Sequence, residues 1–129
     1  MIDYSIKAFS DLVYDKLKDL KYKQVLTNPT IEDKQKELIE LHTPLKSVNK
    51  TESGFPILST FQMPITCWNE KQRRCMEMTN EVQTKLQDFN FVRTNTSPSI
   101  YDSILQKYAI TIIFEVRYNA LTNSFQFIR

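Results

Sequence analysis

Glycine is almost absent from this sequence. Gly54 is the only glycine among 129 residues, whereas an average composition of about 7% would give about nine. Phosphate-binding loops depend on several glycines, because these let backbone amides approach the phosphate oxygens closely. The P-loop and the dinucleotide-binding fingerprint are therefore excluded, and several large classes of enzyme are excluded with them.

Histidine and cysteine are also scarce. The chain has one histidine, His42, and two cysteines, Cys67 and Cys75. Their spacing matches no zinc-binding pattern, so we expect no metal site. The start of the chain has no basic segment leading into an apolar run, which indicates no secretory signal and a reducing compartment. We therefore predict free thiols that are at least partly buried, and a solvated His42 at the surface.

Few residues are candidates for catalysis. Nucleophilic catalysis needs a nucleophile, a base and a group that orients the base, and this chain has only one histidine to serve as the base. The carboxylate pairs Glu37/Glu40 and Glu77/Glu81 have the spacing of ordinary solvated helix faces. We expect no catalytic residue and no cofactor, so the chain is predicted not to be an enzyme.

Strong charge and long apolar runs are missing as well. The net charge is +2, with both signs mixed along the chain, which argues against a nucleic-acid-binding protein. No apolar run approaches the roughly 18 residues that a membrane span needs. Hydrophobic content of 41% and charged content of 25% are ordinary for a globular protein. The whole chain, 1–129, is predicted to be one domain.

The clearest pattern present is strict alternation over 108–118. This pattern predicts a strand with one buried face, and the even-numbered residues are the apolar ones. Ile113 is the one apolar aliphatic residue of some size on the otherwise polar odd-numbered face. An asparagine-rich turn at 119–123 then predicts a hairpin with a partner strand over 124–128.

Two helices are predicted from apolar spacing. The first covers 2–20. The second follows Asn69, which is the expected N-cap, and its apolar stripe runs from Cys75 through Met78 and Val82 to Leu86. The remaining predicted elements are a short strand at 22–27, a short helix at 31–41, a mobile polar loop at 43–54, a strand at 55–68, a short strand at 89–93 and a loop at 94–99. Because Pro64 cannot donate to a ladder, the strand at 55–68 is predicted to be either an edge strand or bulged at that point. The order is α-β-β-α-β-β-β, which predicts an α+β fold: two helices packed on a mainly antiparallel sheet as a two-layer sandwich.

An arginine pair and a tryptophan are the candidate interaction residues. Arg73 and Arg74 are expected in the first turn of a helix, where the helix dipole disfavours cations. They are either solvated or paired with a carboxylate, in this subunit or a neighbouring one. Trp68 is out of phase with the buried face of its strand, so it is either an interface residue or a staple over the helix start.

Several strings carry a resemblance to a known family. They are Ile65-Thr66-Cys67-Trp68-Asn69 followed by a helix, then Tyr101-Asp102 before the long strand, and the ending Phe114-Glu115-Val116-Arg117-Tyr118-Asn119-Ala120-Leu121-Thr122-Asn123-Ser124-Phe125. These strings resemble the small tail-terminator, or head–tail joining, proteins of long-tailed bacteriophages, which include minor capsid and tail-completion proteins.

The resemblance implies a structural role. The chain would form a homo-oligomeric ring, usually of six subunits, that caps the tail tube, ends its polymerisation and joins the tail to the head. Its partners would be other copies of itself, the tail-tube protein and a head-completion or connector protein, while DNA passes through the lumen unread. It would be found in the virion at the head–tail junction, and in the host cytoplasm during assembly. The candidate subunit interface is Trp68, Arg73, Arg74, Thr111, Ile113, Glu115, Arg117 and Tyr118. The alternative is a cytosolic protein–protein interaction module without enzymatic activity.

Overall fold

The computed structural model describes residues 5–25, 37–52 and 55–127. Two helices and eight strands lie within these ranges. In chain order they are α1 (Ser5–Leu17), β1 (Lys23–Val25), β2 (Leu38–Leu41), β3 (Leu45–Glu52), β4 (Phe55–Asn69), α2 (Gln72–Gln87), β5 (Val92–Thr96), β6 (Ile100–Asp102), β7 (Lys107–Asn119) and β8 (Ser124–Gln126).

The sheet is built around β4 and β7, which pair antiparallel along almost their whole length. Their ladder runs from the pair Leu58–Asn119 to the pair Asn69–Tyr108. On the far side of β4 lie β3 and β2, and on the far side of β7 lie β8, β5 and β6. Only β1 runs parallel to its neighbour, β2. The sheet is mostly antiparallel and strongly curled into a half-barrel.

The hydrophobic core lies between the two helices and one face of this sheet. Phe9 of α1 is at its centre, where its ring stacks on Phe61 with centroids 4.0 Å apart and meets the edge of Tyr118 at 5.8 Å. Phe125 of β8 also packs on Phe9, at 5.5 Å. Such aromatic contacts add stabilisation beyond the area they bury. The fully buried members of the core are Phe9, Val13, Leu17, Ile39, Phe61, Met63, Ile65, Cys67, Cys75, Met78, Val82, Leu86, Ile112, Phe114 and Val116.

Several predictions are confirmed. The fold is α+β, with two helices and a mainly antiparallel sheet. The even-numbered face of β7 is buried from Ile110 to Tyr118, and the turn at 120–123 returns the chain into β8. The apolar stripe predicted for the second helix is buried in α2. The first helix is shorter than predicted, ending at Leu17, and residues 2–4 lie outside the described ranges.

The prediction that Pro64 marks an edge strand or a bulge is wrong, and the ladder with β7 runs through Pro64 without a register shift. Strand β4 has neighbours on both sides, and Pro64 lies between the stretches paired with β3 and β2. Its carbonyl accepts a hydrogen bond from the His42 amide at 3.2 Å, so its missing N–H also points toward the link between those two strands. Because the ladder is interrupted there, a residue without a donor costs little.

The chain before β4 was predicted least well. The helix expected at 31–41 is wrong over Leu38–Leu41, which forms strand β2, and its first part, 31–36, lies outside the described residues. Both faces of β2 are buried. A short segment that is buried on both faces has no hydrophobic periodicity that would distinguish a strand from a helix. The loop expected at 43–54 is strand β3 over Leu45–Glu52, with the polar composition of an edge strand.

Two local predictions after β4 are also corrected. Asn69 is the last residue of β4 and not the N-cap, which is Lys71. The Asn69 side chain accepts a hydrogen bond from the Lys71 amide at 3.0 Å, a turn that leads from strand to helix. The strand expected at 89–93 is β5, displaced to Val92–Thr96 because the chain turns at 88–90, where Asn90 has a positive φ of 73°. The loop expected at 94–99 therefore begins only after Thr96.

The observed order is α-β-β-β-β-α-β-β-β-β, with three strands more than expected.

Candidate functional site

One face of the sheet points away from the core, and we call it the outer face. Because side chains alternate along a strand, it carries the even-numbered residues of β4 and the odd-numbered residues of β7. The ladder pairs them directly, as in Pro64 with Ile113 and Thr66 with Thr111. The outer-face residues of β7 are half-buried from Ala109 to Arg117. This surface contains most of the residues that the sequence nominated as an interface.

Trp68 lies on the same outer face as Thr111 and Ile113. It pairs with Ala109, two residues along the ladder from the pair of Thr66 and Thr111. The sequence placed Trp68 on one side of a subunit and the polar face of the long strand on another. The fold instead brings these groups together on one surface, with Glu115 and Arg117 further along the same strand.

Arg117 leaves a donor unused on this face. Its guanidinium Nε is buried and makes no hydrogen bond to any residue of the described ranges. A buried donor without a partner costs free energy. Because this nitrogen has almost no accessible surface, it is not presented to another molecule.

The arginine pair lies apart from the outer face, in the first turn of α2. Arg74 forms ion pairs with Glu77, one turn along the helix, and with Glu37 at 3.5 Å. The carboxylate that the sequence suggested for this pair is therefore present within the same chain. Arg73 is exposed.

Tyr118 is not a surface residue. Its side chain is 2% exposed and belongs to the aromatic core around Phe9. Its hydroxyl donates to Asn123 at 2.5 Å, and burial raises the pKa of the phenol. Its assignment to the subunit interface is corrected on this ground, because its face of β7 packs against the helices.

A polar relay that the sequence did not reveal crosses the outer face. Glu40, only 4% exposed, accepts a hydrogen bond from the indole Nε1 of Trp68 at 3.1 Å. The Nδ1 atom of His42 lies 3.6 Å from Glu40, and its Nε2 lies 2.7 Å from the hydroxyl of Thr66. The hydroxyls of Thr66 and Thr111 are in turn 2.8 Å apart. The His42 side chain keeps 37% of its surface exposed, so the predicted solvated surface histidine is confirmed only in part. The prediction of an exposed helical Glu37/Glu40 pair is wrong, because Glu40 is buried in strand β2.

The relay has the carboxylate–imidazole–hydroxyl order of a hydrolytic triad, but its geometry favours a structural tie. The distance from Glu40 to His42 exceeds that of a hydrogen bond. Thr66 is 4% exposed, and its hydroxyl is shared with Thr111. A nucleophile has to reach its substrate, which a buried hydroxyl held between two partners does not. The relay instead connects strands β2, β4 and β7.

The signal for this relay was present at a spacing of two residues. Glu40 and His42 fall on one face only if the segment is extended, as do Thr66 and Trp68. The predicted helix at 31–41 hides this signal, because residues two positions apart lie on different faces of a helix. The neighbouring strands β2 and β4 align Glu40 with Thr66.

The two thiols are buried in the core, and the prediction of free, buried cysteines is confirmed. Cys75 donates to the carbonyl of Cys67 at 3.0 Å. Burial raises the pKa of Cys67 to about 12 and that of Cys75 to about 11. Thiols of this kind are poor nucleophiles near neutral pH, because the thiolate is the reactive form.

The depressions that flank α1 offer no evident chemistry. One, of about 490 Å³, lies between α1 and the turn after β7 and includes Asp11 and Asp15. Asp11 pairs with Lys7 at 2.7 Å, and Asp15 pairs with Lys18 at 2.8 Å. Within the described ranges, no three side chains among His, Cys, Asp and Glu converge as a metal site requires. Neither of the two helices described has the length and apolar content to span a bilayer.

Three exposed apolar side chains, not singled out in the sequence, lie in strand β6 and at the tip of the β6–β7 hairpin. Ile100, Tyr101 and Ile104 are 58%, 53% and 75% exposed. The Tyr101 ring packs edge-on against Tyr108, with centroids 5.1 Å apart. Ile100 and Tyr101 are consecutive in β6, so their side chains point to opposite faces of the hairpin.

The sequence matches no known protein-family profile and no curated protein.

Proposed function

We propose that this chain is a tail-terminator protein of a long-tailed bacteriophage. It would form a homo-oligomeric ring of six copies on the end of the tail tube, end the polymerisation of the tube and join the tail to the head. The proposal starts from the resemblance of Ile65–Asn69 and of Phe114–Phe125 to that family. It is a structural role, without catalysis and without a cofactor.

The observation that carries the proposal is the outer face of the sheet. Among the described residues, the two helices pack against the opposite, core-facing side of the curled sheet. Trp68 and Ile113 lie on it among polar groups, and interfaces combine apolar and aromatic residues with a polar surround in this way. We assign assembly contacts to Trp68, Thr111, Ile113, Glu115 and Arg117.

The hairpin tip supports a second contact. Ile100 and Ile104 expose most of their surface at one end of the β4–β7 ladder. A ring on a tail tube meets the tube below it, the head connector above it and its own neighbours at each side, and it therefore needs several separate surfaces. We assign one of these contacts to the outer face and a second to the exposed side chains of the β6–β7 hairpin.

The partners follow from this role. The chain would bind other copies of itself, the tail-tube protein and a head-completion or connector protein. DNA would pass through the lumen without sequence recognition, in keeping with a net charge of only +2. The protein would act at the head–tail junction of the virion, after assembly in the host cytoplasm.

The experiment is a reconstitution with the tube protein of the same phage. We would mix the two purified proteins, measure the mass of the complexes by light scattering and record tube lengths by electron microscopy. We expect a ring of six copies at one end of each tube, and tubes that stop growing when the chain is added. A protein that stays monomeric at high concentration, and leaves tube growth unchanged, would contradict the proposal.

The same experiment distinguishes the proposed tail terminator from the alternative, a cytosolic interaction module. A cytosolic interaction module would remain a monomer or dimer and would leave tube growth unaffected. A steep loss of DNA binding with rising salt would point instead to a nucleic-acid-binding protein.

A further inference from the structure

The single tryptophan of the chain, Trp68, has one polar group, the indole N–H. This group donates to Oε1 of Glu40 at 3.1 Å. In the β2–β4 ladder Trp68 pairs with Leu38, and Glu40 pairs with Thr66, so the hydrogen bond runs diagonally across the two strands. Diagonal neighbours in a sheet are within reach of aromatic and long side chains. The indole N–H is therefore directed along the strand, toward the pair of Glu40 and Thr66.

Packing within the sheet fixes the indole only weakly on its other side. Across the β4–β7 ladder Trp68 faces Ala109, whose side chain is a single methyl group. The next residue in this row is Ile100, which pairs with Ala109 and is 58% exposed. Trp68 itself is half-buried. A large ring beside so small a neighbour has other rotamers open to it, and the hydrogen bond to Glu40 selects one of them.

The Glu40 carboxylate is well placed to hold the ring, because it is itself held in the sheet. It is 4% exposed, and its second oxygen lies 3.6 Å from Nδ1 of His42. The Nε2 atom of His42 is in turn 2.7 Å from the Thr66 hydroxyl. A buried carboxylate adds little to stability compared with an apolar side chain, because the cost of removing it from water offsets its hydrogen bonds. Its effect on geometry is the more distinctive property.

We propose that Glu40 is a positioning residue for assembly, which holds the Trp68 indole in one orientation on the outer face before other copies or the tube protein bind. It rests on the proposed function, which takes Trp68 as an assembly contact. Tryptophan is one of the residues that contribute most to binding at interfaces. Binding is stronger when such a side chain is already ordered, because no rotamer freedom is lost on association. Assembly should therefore depend on Glu40 as well as on Trp68.

Three substitutions test this role. Glu40→Met keeps the length of the side chain and removes the acceptor, and its apolar side chain suits a buried site. Glu40→Gln is the conservative variant, because its amide oxygen can still accept the indole N–H. Glu77→Met is the matched control, since it removes an exposed carboxylate from α2, on the other side of the sheet.

Fluorescence of the monomer measures the order of the ring, because all tryptophan emission comes from Trp68. In the wild type, Glu40→Gln and Glu77→Met, we expect the anisotropy to decay with the rotation of the whole protein. Glu40→Met should add a component of local motion on the picosecond to nanosecond scale, and quenching by acrylamide should rise. A residue that only stabilised the fold would leave both properties unchanged in a folded variant.

Light scattering with the tube protein present measures assembly of the same variants. We expect Glu40→Met to assemble about three- to ten-fold more weakly than the wild type, the effect of having to order one large side chain on binding. Glu40→Gln and Glu77→Met should assemble like the wild type. If Glu40→Met does not fold, Trp68→Phe removes the same hydrogen bond from the other partner and should weaken assembly at least as much.

The results distinguish this inference from the proposed function. A ring that forms equally well from folded Glu40→Met, or from Trp68→Phe, overturns the positioning role and leaves the ring. An indole that stays fixed in Glu40→Met overturns the positioning role as well. A chain that stays monomeric under every condition, with tube growth unchanged, overturns both.

Discussion

The indole N–H of Trp68 donates a 3.1 Å hydrogen bond to the carboxylate of Glu40, which is 4% exposed. The bond joins β4 to β2 and directs the indole toward the sheet. Of the two roles that the sequence left open for Trp68, this geometry favours the outer face over a staple on the start of α2. It also supplies a donor to a carboxylate that is almost fully removed from water.

Removing that donor should destabilise the fold. Trp68→Phe keeps most of the ring but leaves the Glu40 carboxylate short of a hydrogen bond, so we expect a loss of about 1–3 kcal/mol. Urea unfolding measures the change. In the Glu40→Gln background the acceptor is neutral, and Trp68→Phe should cost clearly less. Equal costs in the two backgrounds would mean that the indole–carboxylate bond contributes nothing.

The hydroxyls of Thr66 and Thr111 are expected to be coupled. Each single change to valine leaves the other hydroxyl without one partner, whereas the double change removes both groups. The double variant should therefore be less destabilised than the sum of the single variants, by about 0.5–1.5 kcal/mol. Thr122→Val, in the turn at the other end of β7, is the control, and its effect should simply add to that of Thr66→Val. Additivity for Thr66 and Thr111 would contradict a shared hydrogen bond.

The buried thiols predict a loss of stability at alkaline pH. Burial raises the pKa of Cys75 to about 11, so the folded state keeps a proton that the unfolded state releases above its ordinary thiol pKa of about 8.5. The folded state then binds more protons than the unfolded state. The contribution of each thiol to the free energy of unfolding is therefore constant below about pH 8.5, and it falls by up to about 1.4 kcal/mol per pH unit as the pH rises toward the folded pKa.

Urea unfolding at a series of pH values up to about 10 measures this loss. Cys75→Ala is the matched control, since it removes one thiol and should reduce the slope of stability against pH in this window. Cys67 contributes in the same direction, because burial raises its pKa to about 12. A slope that is the same in Cys75→Ala and the wild type would show that Cys75 does not stay protonated in the folded state.

How much of this fold the sequence reveals depends on whether a segment buries one face. Strand β7 was predicted closely because Ile112 and Phe114 face the core while Thr111 and Glu115 do not. This difference between the two faces is visible in the sequence as alternating apolar and polar residues. The apolar stripe of α2 was predicted for the same reason. Strand β3 has no such contrast, because its pairing with β4 depends on backbone groups that every residue carries.

The outer face shows the same limit. Ile113 was identified as unusual because it interrupts a polar pattern within one strand. The relay from Glu40 through His42 to Thr66 was missed, because it depends on β2 and β4 lying side by side. Such a contact between distant segments leaves no local pattern, and Pro64 was misplaced for a related reason.

The scarcity of glycine has a consequence in the turn before β7. Gln106 adopts a positive φ of 57°, a left-handed conformation that costs a non-glycine residue about 1–2 kcal/mol. Gln106→Gly should relieve this strain and raise stability by about 0.5–1 kcal/mol after the entropy of glycine is included. Thermal unfolding measures the gain. Gln106→Asn is the matched variant at the same position and should raise stability less than Gln106→Gly, because asparagine tolerates this region but lacks the freedom of glycine. A loss of stability in Gln106→Gly would contradict the strain.

Ile113 and Ile112 are adjacent in β7 and point to opposite faces, so they form a matched pair for testing the outer face. Ile112 is fully buried in the core, whereas Ile113 is half-buried on the outer face. Ile112→Asp places a charge in the core and should unfold the protein, at a cost above about 4 kcal/mol. Ile113→Asp should keep the circular dichroism spectrum and cooperative unfolding of the wild type, and weaken assembly with other copies or with the tube protein. If Ile113→Asp also unfolds the chain, the outer face is part of the core and does not serve as a contact surface.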